Sequence, residues 1–246
     1  MSAVRNPTNH IVKLEGRNEV AERTMAFRFT RPAGFEHKAG QYMQITLMNP
    51  PETDAEGNVR TFTIASAPHE EMLMIVTRLR GSAFKRVLTM IPLHSEVRIE
   101  GPYGNFHLHT HSARPAVFLA GGIGITPFRS MISHAAKEAL PHRIVLFYSN
   151  RRPEDAPFLD ELMQLQEKNP NYKMVATMTG MAESKLKWTG ETGHIDSAML
   201  EKYLKNIASP IYYVAGPPGM VSGLVTMLTA AGVDEDDIRS EEFAGY

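Results

Sequence analysis

Up to about residue 112 the chain is cut into short runs of mixed polar and apolar residues: QYMQITL at 41–47, RTFTIAS at 60–66, LMIVTRL at 73–79 and EVRIEG at 96–101. Turn-rich pieces such as NPPETDAEGN at 49–58 separate them. Short β-like runs between turn signals predict an antiparallel barrel or sandwich. From about residue 113 the pattern changes to near-continuous apolar runs, AVFLAG at 116–121, RIVLFYS at 143–149, YKMVATMT at 172–179 and IYYVAG at 211–216, alternating with helical segments. Such runs suit strands buried on both faces, as in a parallel sheet of βαβ units. The fold class expected is therefore two-domain: an antiparallel β-barrel over residues 1–112 and an α/β parallel-sheet domain over 113–246, with the boundary in HTHSARP.

One helix is placed by its spacing. In PFLDELMQLQEKNP at 157–170, Phe158, Leu162 and Leu165, joined by Leu159 and Met163, form a core-facing stripe, and Pro170 helps to stop the segment.

Composition narrows the chemistry. With 26 basic and 27 acidic residues, a formal charge of −1 favours neither nucleic acid nor a membrane surface. No apolar run approaches the roughly 20 residues of a membrane span, and the start MSAVRNPTNH lacks the apolar stretch of a signal peptide, so a cytoplasmic location is expected. A cysteine count of 0 removes disulfides, cysteine nucleophiles and thiolate metal sites within this chain. His107, His109 and His111 have a spacing compatible with metal binding but no obvious fourth ligand; a solvated edge is the better expectation, and no metal site is assigned. Asp234 to Asp237 read as a solvated loop before the last strand.

Two glycine turns carry the ligand chemistry. In AGGIGITPFRSM, Gly121, Gly122 and Gly124 follow a strand, and Pro127 stands where a helix begins and its missing N–H costs nothing. Glycine lets backbone approach a ligand, and a helix N-terminus attracts an anion such as a pyrophosphate. Pro127 replaces the third glycine of the usual dinucleotide fingerprint, so this turn alone would equally be an ordinary tight turn. The second turn, Gly216-Pro217-Pro218-Gly219 after Ala215, also ends a buried strand. Two such turns at strand ends would frame one dinucleotide crevice.

In their order along the chain, RTFTIAS, GSAF, GPYGNF, GGIGITP and AGPPGM, followed by the tail EEFAGY, resemble the motif series of the ferredoxin–NADP reductase family, the flavoprotein pyridine-nucleotide oxidoreductases. The resemblance covers nearly the whole chain. It implies FAD and NADP or NAD as cofactors, and hydride transfer in which the protein's task is orientation. Arg60, beside Thr61, would hold the flavin phosphate, Phe62 would pack against the flavin, and Thr63 would hydrogen-bond near N5. Phe62 departs from the commoner tyrosine. Val76, Thr77 and Arg78 would lie alongside, and the backbone of Gly81, Ser82, Ala83 and Phe84 would cradle the phosphates. Gly122, Gly124, Ile125, Thr126 and Pro127, with Ala215, Gly216 and Pro217, fall to the nicotinamide nucleotide. Ser149, Asn150, Arg151 and Arg152, at the end of the β-like run RIVLFYS, stand in place of the usual ribose-binding acid and offer donors for a 2′-phosphate, which favours NADPH, although Arg151 and Arg152 would equally suit a solvated approach to a helix. In the tail, Glu241 and Phe243 join Thr63 at the reacting rings, although a slip of one residue would exchange Glu241 with Glu242.

Strict alternation cannot put Arg60, Phe62 and Thr63 on one face, so the flavin must lie along a strand edge or bend. The resemblance also implies an external electron acceptor: ferredoxin, flavodoxin or an oxygenase component. Two other functions share these motifs, a reductase treating free flavin as substrate and a non-catalytic nucleotide-binding subunit of a larger complex.

Overall fold

A computed structural model describes residues 7–243. The first half is a six-stranded antiparallel sheet in the order β4-β3-β6-β1-β2-β5, built from β1 (Thr8–Ala21), β2 (Thr24–Thr30), β3 (Tyr42–Leu47), β4 (Val59–Thr63), β5 (Met72–Arg78) and β6 (Glu96–Tyr103). Its two edges meet where Ala65 N–H donates to Met74 O at 2.7 Å. Alternation works as expected in β3, whose Met43, Ile45 and Leu47 are buried beside Phe27, Phe29, Ile75 and Ile99. β1 and β2 are absent from the runs singled out above. β1 buries only Val12 and Leu14 along its length, so a single-chain pattern hardly registers it. Helix α1 (Ala83–Met90) follows β5 and turns Phe84, Val87 and Leu88 into the same core.

The second half is an all-parallel sheet in the order β10-β9-β8-β7-β11-β12. Its strands are β7 (Ala116–Gly121), β8 (Ile144–Asn150), β9 (Tyr172–Met178), β10 (Glu191–Thr192), β11 (Ile211–Gly216) and β12 (Ile238–Glu242). Every residue of β7 and β11 is buried, because α2 (Ile125–Lys137) and α3 (Leu159–Lys168) cover one face, and α4 (Ser197–Tyr203) and α5 (Pro218–Ala230) the other. This is the continuous apolar character read from the sequence.

Three expectations need correction. Phe158 precedes α3 in the left-handed region with φ 60, and Met163 is 46% exposed, so the helix buries a stripe centred on Leu162. Met163 lies about 100° round the helix from Leu162 and points away from the core. His109 is buried, not on a solvated edge: its backbone N–H donates to Tyr213 Oη at 2.8 Å, and its ring lies 3.0 Å from Tyr213 Oη and 3.0 Å from Arg114 O. Burial holds its pKa below the ordinary histidine value. Asp237 ends a 3-10 turn and accepts both Arg114 Nη1 at 2.6 Å and Nη2 at 2.7 Å, which ties the segment between the halves to the last strand.

Further polar contacts join the halves. Ser130 Oγ on α2 donates to Ser66 O at 2.8 Å, and the His37 ring reaches the same carbonyl at 3.1 Å. Glu22 N–H donates to Glu154 O at 2.8 Å, and Arg152 bridges Glu22 at 2.7 Å. No helix among the described residues is long and apolar enough to cross a membrane.

Candidate functional site

A cavity of about 340 Å³ opens between the two sheets, lined among others by Arg60, Thr61, Phe62 and Thr63 of β4 and Val76, Thr77 and Arg78 of β5. Four consecutive residues of one strand share this wall because β4 is an edge strand. The strand edge that the sequence required is therefore present. The opposite wall carries Ile123 and Thr126 from the first glycine turn and Phe243 from the tail. Its size falls within the usual range for small-molecule sites.

Arg60 is already engaged. Its Nη2 meets Asp54 Oδ1 at 2.8 Å and Glu56 Oε2 at 3.0 Å, its Nη1 donates to the carbonyls of Glu56, Gly57 and Val59, and its guanidinium stacks over Phe84 at 5.5 Å. The other oxygen of Asp54 accepts Ala83 N–H at 2.9 Å, so one carboxylate bridges Arg60 and the first turn of α1. Ser82 caps that helix by accepting Lys85 N–H at 3.3 Å and lines the cavity. Gly81 lies just outside the wall, while Ala83 and Phe84 are buried behind it.

Two cations in the wall, Arg80 and Lys85, escaped the sequence reading. Burial lowers the Lys85 pKa, and repulsion from Arg80 and Arg60 adds to the effect. Only folding brings these cations together without carboxylates enough to neutralise them all, and spacing alone offered no signal for that.

The two glycine turns are neighbours because β7 and β11 are adjacent at the point where strand order reverses. Gly122 has φ 53, in the left-handed region. A Cβ on Gly124 would stand 2.2 Å from Ala215 O, and one on Gly216 would meet Gly121 backbone at 3.2 Å. Ile125, Thr126 and Pro127 are all buried, and of the three Thr126 lines the cavity, while Pro217 caps α5. At the end of β8, Ser149 is half-buried, and Asn150 is buried with neither amide atom hydrogen-bonded among the described residues.

A smaller cavity of about 250 Å³ shares Arg78 and Arg80 with the first and extends to Arg151 and Arg152. Here the sequence expectation is weakened. Arg152 is bound to Asp155 at 2.8 Å and to Glu22 at 2.7 Å, so its donors are largely spent. Arg151 faces Glu183 at 3.3 Å across an exposed pair, which is screened by solvent and weak.

Glu241 and Phe243 part company. Phe243 lines the cavity, packs against the core and donates its N–H to Gly216 O at 3.0 Å. Glu241 lies on β12 opposite Ala215, half-buried and outside the cavity wall, whereas Glu242 is exposed. The remainder of the EEFAGY motif, 244–246, lies outside the described residues.

Burial pushes the Glu241 carboxyl up to about 7. In the unfolded chain an ordinary glutamate titrates near ~4.3. The folded protein thus keeps a proton that the unfolded chain has released, and stability declines as pH rises from the unfolded value through about 7. Glu241→Gln should remove this decline, raising stability at pH ~8 by about 2 kcal/mol, discounted for partial exposure, with little change near pH ~4. Thermal melts of both proteins across that range test it; parallel Tm profiles would contradict the shifted carboxyl.

Comparison with known proteins agrees with the two-sheet division. Residues 11–108 match a family model described as an oxidoreductase FAD-binding domain, and residues 118–226 one described as an oxidoreductase NAD-binding domain. The chain is 30% identical over 205 residues to one subunit of the Na(+)-translocating NADH-quinone reductase of Methylococcus capsulatus, covering 76% of this chain and 49% of that protein. It is 27% identical to the reductase component of propane 2-monooxygenase from Rhodococcus jostii, covering 86% of this chain and 57% of that protein. The chain spans about half the length of the curated relatives it matches. A ferredoxin NADP+ reductase from Neisseria gonorrhoeae, solved with FAD and NADP bound, superposes with a TM-score of 0.78 at 18% identity, covering 95% of this chain and 98% of that one. At that identity the likeness establishes the fold alone.

Proposed function

Because the chain belongs to the ferredoxin–NADP reductase family of FAD- and NAD-binding oxidoreductases, we propose that it oxidises a reduced nicotinamide dinucleotide through bound FAD and passes the electrons to a separate acceptor. The observation that carries this reading is the single cavity whose walls join the Arg60–Thr63 edge to Ile123 and Thr126 of the nucleotide turn.

The residues fit both groups. Arg80 and Lys85 beside Arg60 would supply positive charge for phosphates, and the Asn150 amide, without a hydrogen-bond partner among the described residues, and the close-packed glycine turns suit a nucleotide. When bound, the two cofactors supply hydride transfer between nicotinamide and flavin rings. The chain supplies placement. Phe62, itself packed on Phe84, offers a flat apolar wall; Thr63 offers a buried hydroxyl at the end of β4; Val76 and Thr77 close the side. Phe243 excludes water from the opposite side and must yield before a second ring can stack. Glu241 would hold a proton near neutral pH beside the strand ends.

We favour NADH over the NADPH suggested by Arg151 and Arg152, since the ion pairs of Arg152 with Asp155 and Glu22 engage most of its donors. The acceptor would be a ferredoxin, a flavodoxin or an oxygenase component. The name of the Rhodococcus relative favours the last. A cytoplasmic setting, with its pool of reduced nicotinamide, belongs to the same proposal.

A second reading rests on Asp54. Because its carboxylate occupies both Arg60 and Ala83 N–H, a flavin phosphate must compete for those donors, as would suit a flavin that exchanges as a substrate. Gel filtration followed by a visible spectrum separates the two. Retained FAD at about one per chain, with NADH-driven ferricyanide reduction, supports the reductase; a colourless protein that reduces added flavin supports the alternative. Absence of turnover with either acceptor would instead indicate a non-catalytic nucleotide-binding subunit.

Phe243→Ser should keep FAD and bind nicotinamide nucleotide more tightly, with an altered NADPH/NADH ratio or slower product release. Titration of the purified variant with NAD+ reads the first effect. A lower Tm with unchanged nucleotide kinetics would make Phe243 a core residue only.

A further inference from the structure

Arg129 lies on α2 one turn beyond Thr126, outside the cavity wall, with its side chain only 10% exposed. A guanidinium taken from water is costly unless most of its donors find partners, and here both Nη atoms do while Nε has none among the described residues. This one reaches out of its own domain. Nη1 donates to Ala65 O at 2.9 Å and to Glu70 Oε1 at 2.6 Å, both in the barrel, while Nη2 meets Glu161 Oε1 of α3 at 2.8 Å. Its guanidinium also stacks over Phe158 at 5.1 Å. The barrel segment it holds is itself fixed: Glu70 Oε1 accepts Ala67 N–H at 2.8 Å, and Ser66 Oγ accepts Met74 N–H at 3.0 Å.

We propose that Arg129 is a positioning residue for the redox reaction, setting the gap between the flavin edge of β4 and the nucleotide turn before α2. The two ends of the linkage lie in opposite walls of one cavity. Ala65 follows Thr63 by two residues, and Thr126 precedes Arg129 by three on a rigid helix, a rise of about 4.5 Å. The Ser130 to Ser66 hydrogen bond is a second tie between α2 and the same barrel segment, one residue along from the Arg129 to Ala65 bond on each side. Ring-to-ring transfer is steep in this coordinate, since reacting atoms must approach to roughly 3–3.5 Å and a misplacement of ~1 Å costs about a hundredfold.

The inference rests on the proposed reductase activity, and its test separates the two. In Arg129→Met, which keeps the volume and loses the fork, bound FAD should stay near one per chain. The limiting rate of anaerobic flavin reduction by NADH should fall about ten- to a hundredfold, with the apparent Kd for NADH changed less than about threefold. Arg129→Lys, able to reach one acceptor but not three, should fall between. The chain has 0 cysteines, so Lys13→Cys in β1 and Glu201→Cys in α4, both exposed, supply a unique pair of spin-label sites. Their distance distribution should broaden in Arg129→Met even without flavin.

Unchanged reduction at full FAD content, a fall matched by an equal loss of NADH affinity, or an unaltered distance distribution would each overturn the assignment. Should Arg129→Met fail to fold, Arg129→Lys and Ser130→Ala carry the same measurements with smaller expected effects. If the FAD-loaded wild type is not reduced by either nucleotide, the reductase reading fails and with it the catalytic consequence. The label distances would still decide whether Arg129 sets the spacing of the domains.

Discussion

Gly124→Ala should lower Tm by about 6–12 °C and weaken nicotinamide nucleotide binding at least tenfold. The added Cβ would stand 2.2 Å from Ala215 O, 2.5 Å from its carbonyl carbon and 2.7 Å from Gly216 N. These are backbone atoms of a fully buried strand, so the methyl cannot be accommodated by rotating a side chain. The turn after β7 must lift away from β11, at a cost of about 3 kcal/mol for overpacking of this kind. For a chain of this size each kcal/mol moves Tm by about 2–4 °C. The same lift separates the two glycine turns that would frame the proposed nucleotide site. Gly219, in the second turn, is the control: a Cβ there meets nothing within 4 Å, and Gly219→Ala should leave Tm unchanged or raise it slightly. Differential scanning calorimetry of both variants checks the pair, and equal Tm values would remove the steric argument.

Arg60→Ala should lose FAD affinity by about one to two decades. A hydrogen bond to a charged group contributes roughly 1.5–3 kcal/mol, which corresponds to that range. The structure adds a second cost, because Arg60 also pins the 54–59 turn through Asp54, Glu56 and three carbonyls. It adds a counter-effect as well. Asp54 occupies Arg60 and Ala83 N–H together, so a phosphate gains those donors only by displacing a carboxylate. Asp54→Asn should accordingly tighten FAD binding, by up to about tenfold, as a neutral amide yields more readily than an anion. Isothermal titration of flavin-free protein with FAD reads both changes. Arg60→Ala retaining full affinity would take Arg60 out of the phosphate site, and a weaker Asp54→Asn complex would show that the carboxylate supports the loop more than it competes.

Much of this was legible in the chain. The apolar runs at 116–121 and 211–216 predict fully buried strands because both faces of a parallel sheet are covered, and β7 and β11 are buried throughout. The glycines predict a close backbone approach to a ligand; what the structure shows at Gly124 and Gly216 is close packing against the neighbouring turn and strand of the chain itself. Arg60, Phe62 and Thr63, on both faces of one strand, required an edge or bend to share a site, and they do share one cavity wall on the edge strand β4.

Other features depended on residues distant in sequence. His109 looked solvated beside His107 and His111, yet a carbonyl 5 residues on and a tyrosine 104 residues away satisfy its ring and permit its burial. Arg151 and Arg152 looked free until Glu183 and Glu22 folded against them. Arg80 and Lys85 joined Arg60, 20 and 25 residues earlier, in one cavity wall only when the barrel folded. Arg129 drew no notice in GGIGITPFRSM, because its partners lie 64, 59 and 32 residues away, at Ala65, Glu70 and Glu161. Local sequence determines which backbone shapes and burial patterns are possible, since sterics and hydrophobicity act over a few residues. Tertiary structure decides which charges remain available for a ligand, because that depends on the counter-charges folding brings to them.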